Sequence, residues 1–140
     1  MTYLEAYEAI VARLKLLAYP VHETYDQQLT RPCAVIEAHP GKSDTLNAAG
    51  VLNHLDCNVT FMPELDARNN IKDQRDMMRF TDEILELFRD RKLPGVTFTV
   101  TPAGNATTES YVKLTADFAH TIRPGSEFNS IEEVNLCFTK

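Results

Sequence analysis

The sequence predicts an α+β domain, a mostly antiparallel sheet of four or more strands with two helices packed on one face. Three observations carry this. Residues Val51 to Met62 alternate, with Val51, Leu55, Cys57, Val59 and Phe61 on one side and His54, Asp56, Asn58 and Thr60 on the other, the period of a half-buried strand. Thr2 to Ala18 and Ile71 to Asp90 repeat apolar residues at the helical period, and such stripes must cover something. Val96 to Thr101 and Tyr111 to Ile122 alternate on either side of a loop containing Gly104-Asn105 and read as a hairpin. Two stripes and three strand faces share one core most simply as helices on a sheet.

Taken in order, Thr2-Tyr3-Leu4-Glu5 fits a capping box, which starts a helix. Tyr3, Tyr7, Ile10, Val11, Leu14 and Leu17 recur to Ala18, and Pro20, which restricts Tyr19, ends the run. Val21 to Tyr25 is a short extended piece and Asp26-Gln27-Gln28 a connection. Pro32 opens a strand over Cys33 to His39; Ala34, Ile36 and Ala38 lie opposite Cys33, Val35, Glu37 and His39, and the pattern leaves its inward side open. Pro40 to Ala49 is rich in turn residues and reads as a loop. Gly41-Lys42-Ser43 ends like a phosphate-cradling loop, but position 36 is Ile36 instead of glycine and a strand follows, so a nucleotide site is excluded.

After the central strand, the second helix is predicted to bury Ile71, Gln74, Met77, Met78, Thr81, Ile84, Leu85 and Phe88, with Lys72, Arg79, Glu83, Glu86 and Asp90 in water. Leu93-Pro94-Gly95 stops it. The hairpin follows, its first strand carrying a threonine face of Thr97, Thr99 and Thr101, its second placing Val112, Leu114, Ala116, Phe118 and Ile122 against Tyr111, Lys113, Thr115, Asp117 and Thr121. Residues 1–123 form one domain and 124–140 a C-terminal tail. In the tail Ser130-Ile131-Glu132-Glu133 fits a helix cap, while Val134, Leu136 and Phe138 alternate with Asn135, Cys137 and Thr139. The strand reading wins, because β-branched and aromatic residues fill the segment and too few residues remain for a stable helix.

At 140 residues the chain is long enough for a self-standing core, with roughly two thirds of its unfolded surface buried. The odd set Cys33, Cys57 and Cys137 contains no C-x-x-C pair and predicts buried thiols in a reducing compartment. Twenty acidic against fourteen basic residues give a net charge of −6 without a basic cluster, which argues against a nucleic-acid reader. The opening residues lack a basic stretch followed by an apolar run, and no run of about eighteen apolar residues occurs. The expectation is a cytosolic chain, neither secreted nor membrane-spanning.

His54 and Asp56 share the outer face of the central strand, and a His-x-Asp pair can hold a metal or orient a base only with a third convergent group. His22, His39 and His120 fall in other strands, so a solvated or interface pair is expected. Cys57 falls on the opposite face, which separates it from His54 as a nucleophile pair. Asp73, Asp76, Asp82 and Glu83 read as a solvated helix face, since raising a carboxyl pKa requires burial or crowding. The sequence therefore predicts no catalytic residue, no metal site and no cofactor. His54, Asp56 and Asn58 on the sheet face, with Val134, Leu136 and Phe138 in the tail, are the candidate subunit or partner contacts.

The order helix, short strand, strand, long strand, helix, hairpin and tail resembles the tail terminator and tail completion proteins of long-tailed bacteriophages. The pieces that carry the resemblance are the opening helix ending at Leu17-Ala18-Tyr19-Pro20, Pro32-Cys33-Ala34-Val35-Ile36, Leu55 to Phe61, the helix from Asp73 to Phe88, and Val112 to Phe118. It spans residues 1 to about 123 and is one of pattern, with no invariant motif from which a residue's role can be carried over. It implies a non-enzymatic virion protein that closes into a homo-oligomeric ring, typically of six subunits. Such a ring ends polymerisation of the tail-tube protein, offers a surface to a head-completion or connector protein, and lets DNA pass without sequence-specific binding. It implies assembly in the host cytoplasm and no membrane partner. The residues themselves let the tail strand fold back on its own sheet edge or add to a neighbouring subunit's, and the neighbour is favoured over a frayed terminus. The residues themselves leave a second class open, a small cytosolic ligand-binding or regulatory α+β domain with a pocket between helices and sheet.

Overall fold

The computed structural model describes residues 1–25, 29–47, 50–90 and 93–121. The first helix, α1 (Tyr3–Leu14), begins on its capping box: the Glu5 amide donates to Thr2 Oγ1 at 3.1 Å, and the Thr2 amide donates to Glu5 Oε1 at 2.8 Å. It buries Ala6, Ile10, Val11 and Leu14. The helix ends four residues before the expected Ala18. There the Leu16 and Leu17 amides bond to the carbonyls of Arg13 and Leu14, three residues back, which tightens the chain out of the α period.

Six strands follow among the described residues: β1 (Val21–His22), β2 (Cys33–Pro40), β3 (Asp44–Asn47), β4 (Gly50–Met62), β5 (Val96–Asn105) and β6 (Ser110–Thr121). They lie in the order β1-β2-β4-β6-β5, antiparallel except for β1 beside β2, and β3 pairs with the start of β4. The α+β architecture is thus the one expected, with α1 and the second helix on one face of a mostly antiparallel sheet.

Much of the expected loop from Pro40 to Ala49 is ladder instead. β2 pairs with Leu55 to Met62 and β3 with Gly50 to Leu52, so the two lie end to end along one edge of β4. Gly41 is the join. Its amide donates to the His54 carbonyl at 2.7 Å, and a Cβ there would come within 2.5 Å of Asp56 Oδ2 and 3.1 Å of the His54 carbonyl oxygen. Turn-forming composition hid a strand whose close approach to β4 requires a residue without a side chain.

The helix side of the sheet holds the main core: Ala34 and Ile36 of β2, Leu55, Cys57, Val59 and Phe61 of β4, and Val112, Leu114, Ala116 and Phe118 of β6. This fixes the inward face of β2. Cys33 and Val35, on the opposite face, are buried as well, because Leu29 closes over them and Met62 as a second small cluster. Tyr25 Oη donates to Thr60 Oγ1 at 3.0 Å, and Arg31 Nη1 donates to the Pro63 and Thr108 carbonyls at 3.2 and 2.9 Å. These bonds tie the segment before β2 across that corner.

The second helix, α2 (Arg75–Ile84), continues into a π-type turn from Leu85 to Arg89. It starts four residues after the expected Ile71. Asp73 Oδ1 accepts from the Arg75 amide at 2.9 Å, and Ile71 bridges to Leu65. The predicted stripe is rotated: Phe80, Ile84, Leu87 and Phe88 are buried, whereas Gln74 is exposed and Met78 is 66 % exposed. A regular α period counted from Ile71 had the wrong phase, since its first residues are not helical and the wider π turn brings Leu87 and Phe88 inward together. The Phe80 ring stacks on Phe61 at 4.8 Å, and Phe88 meets Phe98 edge-on at 5.1 Å. Tyr19, stacked obliquely on Phe61 at 5.1 Å, turns its hydroxyl toward Glu83 in a site shielded from water. Burial and then the Glu83 charge push its pKa well up, and burial raises Glu83 in turn.

The expected connection at residues 26–28 and the tail at 124–140, with Val134, Leu136, Cys137 and Phe138, lie outside the described residues.

Candidate functional site

Strand alternation puts one side chain in two on the face away from the helices, and register aligns them in rows. One row runs His39, Asp56, Thr115, Thr99; the next Glu37, Asn58, Lys113, Thr101; a third His54, Asp117, Thr97. Directly opposed residues stand about 5 Å apart, so these rows make a polar grid across β2, β4, β6 and β5. Among the described residues only the corner held by Tyr25, Leu29 and Arg31 is covered. Glu37, His39, Asn58, Lys113 and the three threonines of β5 are exposed, and His54, Asp56, Thr115 and Asp117 are half-buried.

Two contacts fix the centre of the grid. His54 Nδ1 meets Asp117 Oδ1 at 2.5 Å, with the side chains 23 % and 28 % exposed. Thr115 Oγ1 donates to Asp56 Oδ1 at 3.4 Å, and Gly41 passes against the other carboxylate oxygen of Asp56. His54, Asp56 and Asn58 therefore share a face, as the alternation requires, but His54 and Asp56 take different partners. Asp117 and Thr115 were missed as members of the site. Their outward direction was legible, whereas the register that sets them beside His54 and Asp56 was not.

A carboxylate that holds an imidazole can prepare it as a base, yet among the described residues the pair faces no thiol. Cys57 lies on the core side, where burial pushes its thiol up to about 12, and burial also raises Cys33. Among the described residues no group of three or more His, Cys, Asp or Glu side chains is placed to hold a metal ion.

The residues that left the predicted helix stripe appear elsewhere. Ile71, Met77 and Met78 face Pro102 and Tyr111 across an open cleft of about 590 Å³ between α2 and the β5–β6 turn. Some of its polar groups are already engaged: Ser110 Oγ donates to Asn105 Oδ1 at 2.8 Å, and Tyr111 Oη to Glu109 Oε1 at 2.7 Å; Gln74 and Asp82 line it as well. No described helix is long and apolar enough to cross a membrane. The chain matches no protein-family model, and the search of curated proteins returned no significant match.

Proposed function

We propose that this chain is a structural protein of a long-tailed bacteriophage, a tail terminator or tail completion subunit. It assembles, in this reading, into a ring of six at the head-proximal end of the tail, ends tube polymerisation and presents the head-joining surface. It works through contact and performs no turnover. The observation that carries the reading is the sheet face itself: a broad, ordered polar grid that the described residues leave uncovered beyond one corner, while the helices occupy the other side. A ring member needs two different surfaces, one for each neighbour, because its contacts are head-to-tail. The grid supplies one of the two. The order of elements over residues 1–121 supports the same class.

The cleft between α2 and the hairpin favours the second reading, a small ligand-binding or regulatory domain. A ligand site gathers unpaired polar groups around an apolar floor; here Ser110, Asn105 and Tyr111 are spent on contacts of their own, which weighs against it. The experiment that separates the two replaces Asn58 and Thr99 with Arg, two exposed positions of the grid, and compares mass by light scattering with circular dichroism as the control for folding. A folded variant reduced to monomers supports the ring; an unchanged ring removes this face from the contact, and a monomeric wild type removes the ring.

A further inference from the structure

We propose that the cleft between α2 and the β5–β6 turn receives Leu16 of a second copy of this chain, with Lys15 of that copy set against Asp82. The contact supplies the second surface that a ring member needs. It rests on the self-association in the reading above, but not on the number of subunits or on a phage.

The cleft suits an apolar side chain better than a polar ligand. Ile71, Met77, Met78, Pro102 and Tyr111 supply its apolar lining. Besides Ser110 and Tyr111, Thr81 is bonded within the chain, its Oγ1 donating to the Met77 carbonyl at 3.2 Å. An occupant without polar groups therefore breaks no hydrogen bond there. Met78 lines the cleft and yet is 66 % exposed, more than any other large apolar side chain among the described residues. Its unbranched thioether can reshape around a guest. One lining residue carries a charge, Asp82. It stands four residues after Met78 on the same helix face, so their Cβ atoms are about 5–6 Å apart.

The chain presents a side chain of the matching kind. A single exposed leucine is ordinary, and what distinguishes Leu16 is its company. It is 64 % exposed, follows exposed Lys15, and has exposed Ala12 four residues before it, so an apolar ridge ends α1 beside a cation. Its backbone is held: the Leu16 amide bonds to the Arg13 carbonyl at 3.0 Å, and Arg13 Nη1 donates to the Leu87 carbonyl at 2.8 Å. A knob fixed before it docks loses little freedom on docking.

Charge selects this knob. Leu4 is equally exposed at 64 %, but Glu5 and Glu8 beside it would meet Asp82 with like charge. Lys72, Arg79 and Arg89 pair with Glu64, Asp76 and Asp90, whereas among the described residues neither Lys15 nor Asp82 has an ion-pair partner. Seating Leu16 against Met78 brings these two charges together. Leu16 does not line the cleft of its own chain, so knob and cleft are different surfaces of one subunit. Contact between them is head-to-tail, the kind that closes a ring or continues as a filament.

Sedimentation equilibrium of the full-length chain tests this, with circular dichroism as the control for folding, on Leu16→Asp, Lys15→Glu, Asp82→Lys and the double variant Lys15→Glu/Asp82→Lys. All three positions are exposed, so each variant folds as the wild type does. Leu16→Asp weakens association on the order of 100-fold, and each single charge reversal about 10-fold. The double variant, with the charges exchanged, returns to within about 3-fold of the wild type. That recovery is the signature of this pair, since loss at one site is what any contact face would give. An oligomer that Leu16→Asp leaves intact, or a double variant as weak as its two changes combined, overturns the proposal, leaves the ring reading standing and gives the cleft to a different occupant. A monomeric wild type overturns both. An oligomer that responds as stated but grows as an open filament supports this contact and counts against the ring alone.

Discussion

Gly41→Ala tests the join between β2 and β3 and, through it, the position of Asp56. The added methyl meets Asp56 Oδ2 at 2.5 Å and the His54 carbonyl at 3.1 Å. Neither backbone can retreat freely, since the Gly41 amide is bonded to that same carbonyl at 2.7 Å. The carboxylate must swing away from Thr115 and the strand must shift by a few tenths of an ångström, an overpacking penalty of about 1–3 kcal/mol. Urea unfolding followed by circular dichroism measures it. In an Asp56→Ala background the nearer clash is gone while the carbonyl contact remains, so the same substitution should cost about 1 kcal/mol less. A Gly41→Ala cost below about 0.5 kcal/mol, the level of an ordinary surface change, or a cost that ignores Asp56, would refute the geometry of this join.

Phe80→Ala should cost about 3–5 kcal/mol because the ring is fully buried against Phe61, whereas Met78→Ala should stay within about 0.5 kcal/mol; the reverse order in urea unfolding would restore the stripe read from sequence. The Cys57 thiol, raised to about 12 by burial, should resist alkylation at pH 8 in the folded protein and react once urea unfolds it; rapid labelling of the native state, mapped by mass spectrometry, would contradict the core assignment. Burial raises Glu83 above its unfolded value, so its ionised form opposes folding and the protein gains stability as pH falls through the raised value. Glu83→Gln should flatten that part of the pH–stability curve, and a curve with the same slope as the wild type would show that Glu83 is solvated.

The parts of the fold legible in the sequence are those where one local rule decides. The Thr2–Glu5 capping box needs only its own four residues, and the alternation in β4 and β6 follows from having one face in the core. The second helix was legible as a helix but not in phase, because Asp73 delays its start and the π turn widens its end. β3 was invisible, since Pro40 and Gly41 break the alternation at the very point where the chain must press against Asp56. The candidate site divides in the same way. Outward direction of His54, Asp56 and Asn58 is a matter of period, while the Asp117 and Thr115 partners depend on the register between β4 and β6, a tertiary choice that no local spacing encodes.

The proposed function requires that this chain close into a ring. Sedimentation equilibrium of the purified full-length protein over a wide concentration range tests it most directly. A closed ring of six gives a species of six times the 15.8 kDa chain, about 95 kDa, that grows no further as concentration rises, since closure leaves no contact surface free. A mass that stays at 15.8 kDa throughout, or one that climbs without limit, would contradict it.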